Sequence, residues 1–345
     1  MTYEYENVYI KDASTVVGPY EKKGPLGNKF DKSYDDLYNG EKSFEQAEVK
    51  LLEDSIDILL KKVEKTKSDI DLIISGDLLN QVTSSSYGVQ KYNIPFLGIY
   101  SACASSVEGI IIASSMIDSK KINNCIVSTS SHNMSSEKQF RNPTEYGAPK
   151  PKTATFTATG GASCFLTNEK TDIKVSATTI GKVIDKGQKD PLNMGAVMAP
   201  AAADTIYRHL KDLKRDVSDY DLILTGDLGT YGKEILVDYM KTEYGLDISN
   251  NYNDMGTMLY DLDNQKEVLA GGSGPVCSTL VCYSHILSLL KKGTIKRVLI
   301  AATGALFSPT FVYQHIDINA ISHAVTLEAI KWFLFIHFYS VDWFV

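Results

Sequence analysis

Asp71-Leu-Ile-Ile-Ser-Gly-Asp-Leu78 returns later in the chain as Asp221-Leu-Ile-Leu-Thr-Gly-Asp-Leu228. Six of the eight positions are identical, and the other two exchange similar residues. A short apolar run closed by Gly-Asp is typical of a buried parallel strand and the turn that ends it. The two copies therefore predict one equivalent strand in each half of an internally duplicated chain.

The segments around the two copies follow the same order. A helix precedes each copy, over 44–63 in the first half, where Ser43 and Gln46 form a capping box, and over about 201–213 in the second. After each copy come a helical stretch, a turn of small residues that opens an apolar helix, and two strands. In the first half these lie at 84–92, 103–117, 124–130 and 161–167, and in the second half at 234–243, 275–290, 297–303 and 322–328. We expect halves at 1–170 and 171–328, with an insertion around 246–270, stacked as an α/β/α/β/α sandwich with two mixed sheets.

The composition sets limits on the class of protein. Charged residues make up 22% and hydrophobic residues 43%, which is the ordinary globular range. The net charge of −7 argues against wrapping a nucleic acid, so no nucleic-acid partner is expected. The five cysteines form no zinc-ligand spacing, and we expect reduced thiols, no metal and no cofactor. The acidic, polar N-terminus has no signal-peptide pattern, so a cytosol-like location is expected.

Cys103 lies in the most informative turn, Gly98-Ile-Tyr-Ser-Ala-Cys103-Ala-Ser-Ser-Val-Glu-Gly109. A strand at 96–100 leads there into a helix of small residues, and such an elbow is where nucleophiles are presented. A thiol at a helix N-terminus is expected to have a lowered pKa. The alternative is a buried cysteine that acts as a small hydrophobic residue.

Two further segments are candidates for ligand binding. The matching elbow of the second half, Leu269-Ala-Gly-Gly-Ser-Gly-Pro275, offers either an anion-accepting nest or close helix packing. The long loop 131–160 carries His132, Asn133 and Arg141 beyond the end of a strand, where ligands of α/β sheets bind, although a solvated loop is the alternative. Asp77, Asn80 and Asp227 also follow strand ends, where they bind a ligand or cap the next helix.

Several short segments are similar to a known family. They are Val17-Gly-Pro19, Lys23-Gly-Pro-Leu-Gly27, Phe30-Asp-Lys-Ser-Tyr34, Ser75-Gly-Asp-Leu-Leu-Asn-Gln81, Ser130-Ser-His-Asn133, Pro143-Thr-Glu-Tyr-Gly147, Met198-Ala-Pro-Ala-Ala-Ala-Asp-Thr205 and Ala302-Thr-Gly-Ala-Leu306. The duplicated halves and the cysteine elbow resemble the thiolase and ketoacyl-synthase superfamily. The short segments, spread over residues 5–328, resemble more specifically the stage V sporulation protein AD family of endospore-forming bacteria.

The resemblance implies a duplicated thiolase-like fold and a non-catalytic protein. It implies binding of dipicolinic acid (pyridine-2,6-dicarboxylate), alone or as its calcium chelate, during uptake into the developing spore and release in germination. It further implies work with membrane proteins of the same operon, a position on the cytoplasmic side of the forespore or spore inner membrane, and a homodimer paired through the strand 124–130.

The catalytic residues of the superfamily match this chain only in part. Cys103 matches the acyl-accepting cysteine, but the second-half elbow has Gly271-Gly272 where the resemblance expects a histidine. The stretch Asn319-Ala-Ile-Ser-His323 lacks the second cysteine and the glycine run of thiolases, and His323 is the candidate base. The alternatives are therefore a Cys103-dependent acyl-transfer or condensing enzyme and a purely structural subunit with an empty pocket.

The predicted ligand site places two donor clusters around a dicarboxylate. The predicted binding residues are Cys103, Ser131, His132, Asn133, Arg141, Tyr146, Gly271, Gly272, Ser273 and His323. Beyond the repeat, 329–345 is rich in aromatic residues and contains both tryptophans. We predict that this tail lies outside the fold, with an interfacial membrane contact as the alternative.

Overall fold

The computed structural model describes residues 1–140 and 150–330. In these ranges the strands are β1 (Thr2–Glu4), β2 (Tyr9–Val17), β3 (Lys32–Ser33), β4 (Leu72–Gly76), β5 (Phe96–Gly98), β6 (Asn124–Ser131), β7 (Phe156–Thr157), β8 (Gly160–Thr167), β9 (Ile173–Thr179), β10 (Leu222–Thr225), β11 (Tyr252–Asp254), β12 (Gly272–Ser273), β13 (Arg297–Leu306) and β14 (Asn319–Ala329). The α-helices are α1 (Pro19–Lys22), α2 (Phe44–Val63), α3 (Thr83–Val89), α4 (Ser105–Asp118), α5 (Asn133–Phe140), α6 (Met194–Leu213), α7 (Gly229–Tyr244), α8 (Met255–Leu259), α9 (Pro275–Val281), α10 (Leu287–Lys291) and α11 (Pro309–Tyr313).

The two halves have the same sheet topology. The first half is ordered β5-β4-β6-β8-β2 and the second β11-β10-β13-β14-β9. In both, the first three strands run parallel and the last two pairings are antiparallel. The repeated strand motif forms β4 and β10, at the same position in each order. The duplicated fold expected from the sequence is therefore confirmed.

The sequence did not predict β2 and β9, the strands near the start of the first and second halves. Charged Lys11 and Asp12 interrupt β2, and the register shifts between Ile10 and Asp12. β9 has the sequence IKVSATT, in which small polar residues are buried without a strong apolar signal. β2 and β9 pair with each other for a short length, at Tyr9 with Lys174 and at Ile10 with Ile173, so the two mixed sheets meet edge to edge.

Helices form three layers around the two sheets. α2 and α3 pack on one outer face and α6 and α7 on the other, whereas α4 lies between the sheets and contacts strands of both, with α9 beside it on β6 and β8. α4 approaches its strand closely, since a Cβ at Gly109 would meet Val127 Cγ1 at 2.6 Å. α4 and α9 also touch through a hydrogen bond of 3.2 Å between Ser106 Oγ and Ser278 Oγ. Small residues in these central helices thus permit the five-layer sandwich.

Several predicted elements are corrected in detail. α6 begins at Met194 rather than near Ala201, because Pro200 is accommodated inside the helix. The segment 131–160 is not one loop, since it contains α5 and β7. The expectation of a dimer through 124–130 is wrong in its choice of strand, because β6 is hydrogen-bonded on one side to β4 and on the other to β8.

Other predicted features are confirmed or fall outside the described ranges. Ser43 Oγ caps α2 by accepting from the Gln46 N–H at 3.2 Å. The aromatic tail lies beyond the described residues after Ile330. Among the described residues, no helix has both the length and the apolar composition needed to span a bilayer.

Replacing Gly161 by alanine is expected to destabilise the protein by about 2–3 kcal/mol, because overpacking forces neighbouring backbone apart. A Cβ at this position would lie 2.3 Å from the Leu51 carbonyl oxygen, where α2 rests directly on β8. Urea unfolding followed by circular dichroism measures the change. Gly98→Ala is the control, since its Cβ would meet side-chain atoms rather than backbone, those of Phe96 at 3.3 Å and Val82 at 3.8 Å. Equal stabilities for the two variants would contradict the close approach of α2.

Candidate functional site

The turn before α4 holds Cys103 in a defined position. Ala102 has φ of 48°, in the left-handed region. Ser105 Oγ accepts from the Ser101 N–H at 2.9 Å and donates to the Ala102 carbonyl at 2.8 Å, which braces the turn from inside. Cys103 is half-buried and precedes the helix, which begins at Ser105. The turn therefore presents the thiol toward the second half of the chain.

In the second-half elbow, Gly274 faces Cys103 and lies directly before α9. Its φ of 99° favours glycine, and a Cβ there would lie 2.8 Å from Ser131 Oγ and 3.2 Å from Thr157 Cγ2. The Gly274 N–H is directed to the Cys103 sulfur and also donates to Asp227 Oδ2 at 3.2 Å. A residue with a side chain would fill the space between the two halves.

Asp227 is the central carboxyl group of this site. It follows β10 and is 1% exposed. Its Oδ1 accepts from Thr303 Oγ1 at 2.7 Å, its Oδ2 accepts from the Gly274 N–H, and the Cys103 thiol lies beside it. Burial raises the pKa of Asp227 to about 7, against the opposing effect of the Cys103 and Thr303 hydrogen bonds; neighbouring Asp254 raises it further.

Cys103 has a raised pKa, and the expectation of a lowered one is wrong. Burial of the thiol is the largest cause, and the charge and hydrogen bond of Asp227 act in the same direction. The opposing Gly274 N–H is a smaller effect. Burial of the thiol, together with the nearby Asp227 carboxylate, outweighs the preference of a helix N-terminus for the thiolate. Cys103 is therefore a protonated thiol that lies beside Asp227.

His323 lies near the cysteine turn but is poorly placed to act as a base. Its Nδ1 accepts from the Gly181 N–H at 3.0 Å, so the ring's free lone pair is occupied. Its Nε2 is 3.4 Å from Ser101 Oγ and carries the proton of the neutral ring. Burial, followed by the charge of Arg208, lowers the pKa of His323 to about 4. The ring is thus neutral at pH 7, with no nitrogen free to take a proton from Cys103.

The residues predicted from the 131–133 turn divide into two groups. Ser131 lies against Gly274 and donates to the Ala158 carbonyl at 2.7 Å. Asn133 Nδ2 donates to the Thr157 carbonyl at 3.4 Å. His132 instead turns to Leu37, whose carbonyl lies 2.8 Å from Nε2, and its Nδ1 accepts from the Met134 N–H. The structure brings Ser131 to the site and uses both His132 nitrogens in local structure.

Close packing accounts for Gly271 and Gly272. Gly271 has φ of 133°, and a Cβ there would meet the Gly256 carbonyl oxygen at 3.0 Å. A Cβ at Gly272 would meet Tyr260 at 2.8 Å. Ser273 is buried, and its carbonyl accepts from the Ala158 N–H at 2.8 Å, within the β12–β7 pairing. Ligand contacts by these three residues stay predictions.

A cavity of about 70 Å³ lies next to the elbows. It is lined by Ser136, Glu137, Phe140, Thr157, Pro191, Leu192, Met194 and Phe307. Thr157 connects it to the site, because its methyl group lies beside Gly274. The Phe140 and Phe307 rings stand 5.1 Å apart, centroid to centroid, in its wall. Arg141 and Tyr146, predicted as binding residues, lie outside the described residues.

Asp227 and Asp77 occupy the same position in the two copies of the repeat. From the sequence, both were equally good candidates for binding a ligand or capping the next helix. Asp77 does cap the following segment, since it accepts from the backbone N–H groups of Leu79 and Ser85, both at 2.8 Å. In the second half, Asp254 takes this role by accepting from the Leu228 and Gly229 N–H groups at 2.8 and 3.0 Å. Asp227 is thereby released to face Cys103. The predicted insertion around 246–270, which carries Asp254, was the sequence feature that could have distinguished Asp227 from Asp77.

Comparisons with known proteins agree with this architecture. The family model described as Stage V sporulation protein AD matches residues 2–328. Stage V sporulation protein AD of Bacillus subtilis (strain 168) is 46% identical over 328 residues, which cover 95% of this chain and 96% of that protein.

Solved structures resemble the chain in fold alone. A crystal structure of an OleA variant from Xanthomonas campestris has a TM-score of 0.61 at 14% identity, covering 94% of this chain and 99% of the other. A 3-oxoacyl-(acyl carrier protein) synthase III from Xanthomonas oryzae pv. oryzae has a TM-score of 0.57 at 13% identity, covering 94% and 100%. Both are thiolase-like, so the predicted fold class is confirmed.

The Cys103 thiol is expected to react slowly with iodoacetamide at pH 8, because only the thiolate is nucleophilic. Asp227→Asn removes the neighbouring charge and should speed alkylation about tenfold for each unit by which the thiol pKa falls. Intact mass over time measures the rate, and Cys103→Ala identifies which adduct belongs to this residue. A wild-type rate equal to that of free cysteine would contradict the protonated-thiol assignment.

Proposed function

Because the chain belongs to the stage V sporulation protein AD family, we propose that it binds dipicolinic acid without transforming it chemically. In this proposal the protein serves the uptake of dipicolinic acid into the developing spore and its release in germination. The observation that carries the non-catalytic part is the position of the Cys103 thiol beside the buried Asp227 carboxyl, where burial and the nearby carboxylate raise the pKa of the thiol. The thiol occupies the position of a nucleophile, yet its surroundings favour the form that is not nucleophilic.

The proton balance of the site supports binding over catalysis. Asp227 has a pKa of about 7, whereas the pKa of Cys103 lies well above its ordinary value, so proton transfer from the thiol to Asp227 is uphill. His323 has no free nitrogen to substitute as a base. A Cys103-dependent acyl-transfer or condensing reaction needs an activated thiol. That alternative rests on the fold and on the elbow, and no base in the described site favours it.

The chemistry of the site suits a planar aromatic dicarboxylate. In the proposed arrangement, one carboxylate lies at the junction of the two elbows, near the Gly274 N–H and the Cys103 thiol. The ring lies toward Phe140 and Phe307, whose faces suit aromatic stacking. The cavity of about 70 Å³ is roughly half the ~150 Å³ that holds benzene in an apolar core, so these side chains must move when the ligand enters. Asn133, Arg141 and Tyr146 remain part of the proposed site, whereas His132 is left out because Leu37 and Met134 engage both of its nitrogens.

The proposal includes partners beyond the ligand. The family resemblance supports action with membrane proteins of the same operon, from a peripheral position at the forespore or spore inner membrane. A homodimer is proposed through β5, which pairs on one side with β4 and ends the path of paired strands described for the first half. Exposed apolar side chains of Tyr87, Leu97 and Tyr100 surround this edge. Such an edge favours pairing with a second copy.

Calorimetry with dipicolinate is expected to show saturable binding to the purified protein at millimolar affinity or better. Picolinate, which has one carboxylate, should bind at least about tenfold more weakly, since it loses one charge-assisted set of hydrogen bonds. Bound dipicolinate should also slow alkylation of Cys103, which locates the ligand at the elbow.

The control for this binding experiment is Cys125→Ala, a change of a buried thiol in β6 that should leave affinity unchanged. Cys103→Phe should abolish binding, because it fills the junction of the elbows; circular dichroism verifies its fold. Absence of binding to the wild-type protein would sink the proposal. An acyl adduct at Cys103 after incubation with acyl-CoA would support the enzyme alternative instead.

Leu97→Lys is expected to convert the proposed dimer to a monomer of 38.1 kDa, because it places a charge at the pairing edge. Light scattering after size-exclusion chromatography measures the mass. Ile235→Lys is the matched control, as Ile235 is also an exposed apolar residue but lies on α7 of the second half. A monomeric wild type, or identical behaviour of the two variants, would contradict pairing through β5.

A further inference from the structure

We propose that the site takes up one proton together with its dicarboxylate, and that Asp227 carries this proton. The inference rests on the proposed function, because it concerns the same ligand at the same elbows. In this role Asp227 is a hydrogen-bond donor that determines ligand specificity. It can donate only when its carboxyl group is protonated.

The argument begins with the groups that face Asp227. From the first half, the Cys103 thiol lies beside it. From the second half come the Thr303 hydroxyl on β13 and the Gly274 N–H before α9. The titratable groups nearby are the carboxyl of Asp254 and the thiol of Cys277, both fully buried. These groups are neutral donors and a second acid, and none of them is a cation. The negative charge of Asp227 is therefore stabilised by their hydrogen bonds and not by an ion pair.

A ligand carboxylate at the same junction adds a further negative charge. It would share the Gly274 N–H and the Cys103 thiol with Asp227, which places the two carboxyl groups in contact. Two carboxylates that share one site cannot both be ionised, and one of them retains a proton. Dipicolinate is ionised near neutral pH, as carboxylic acids are. The proton therefore comes from solvent when the ligand binds.

Asp227 is the group suited to hold this proton. It is 1% exposed, so its charged form is the less well solvated of the two carboxylates that meet at the junction. In the free protein its pKa is already about 7, because burial disfavours the charged form. Once protonated, Asp227 changes from acceptor to donor and can hydrogen-bond the ligand carboxylate directly. An incoming dianion raises the pKa of Asp227 still further.

Proton uptake makes the affinity for the ligand depend on pH in one direction. Above about pH 7 the free protein has an ionised Asp227, so binding requires proton uptake and weakens as pH rises, by up to about tenfold per pH unit. Below about pH 7 the acid form already predominates, and the affinity levels off. A site with a fixed cation opposite the ligand would show no such weakening.

Calorimetry at pH 8 in two buffers of different ionisation enthalpy, phosphate and Tris, counts the protons taken up per dipicolinate bound. The wild type is expected to take up close to one proton. Asp227→Asn, whose amide always donates, should bind dipicolinate with no linked proton and with a dissociation constant that varies less than about twofold from pH 6.5 to 8.5. Cys125→Ala, which changes a buried thiol in β6 away from the elbows, is the control and should retain the uptake.

The outcomes separate this inference from the proposed function. Binding without proton uptake in the wild type, or equal uptake in Asp227→Asn, overturns the inference and leaves dipicolinate binding intact. Binding that occurs only with added calcium chloride and without proton uptake also overturns it, because the cation would then balance the two carboxylates. No binding by any form at any pH overturns both. Because the wild-type proton count needs no variant, the test does not depend on Asp227→Asn folding.

Discussion

The close packing of α4 against α9 is the constraint on which the rest of the structure depends. These helices lie between the two sheets, and the Ser106–Ser278 hydrogen bond shows how near their axes come. Only small side chains permit this approach while both helices also contact strands. Because each helix begins at an elbow, the packing that builds the core also brings Cys103 and Gly274 together.

The two halves share a scaffold but use the same repeat position differently. Asp77 caps the segment after its strand, whereas Asp227 faces the thiol because Asp254 has taken over the capping role. A buried carboxyl beside a buried thiol keeps both groups from ionising freely. In the proposed function these groups exchange hydrogen bonds with an anion. The repeat supplies the common geometry within which the two halves differ.

Long apolar patterns predicted much of the scaffold. The spacing of Leu51, Leu52 and Ile56 identified α2, and the repeated motif identified β4 and β10. β2 and β9 were missed, because buried serines and threonines give no such pattern. Cys103 was found from its turn, but its pKa was predicted with the wrong sign, since the decisive neighbour lies in the other half of the chain. Contacts between distant segments, here through Asp227 and Gly274, are the part that local patterns do not reveal.

The likeness to OleA and to 3-oxoacyl-(acyl carrier protein) synthase III lies in the fold, whereas the proposed function rests on a protonated Cys103 thiol. A crystal structure determined with dipicolinate tests that account most directly. The account predicts a ligand carboxylate within about 3 Å of both the Gly274 nitrogen and the Asp227 carboxyl, a distance typical of a hydrogen bond, with no covalent bond to Cys103. Dipicolinate bound away from the two elbows, or a ligand covalently attached to the Cys103 sulfur, would contradict it.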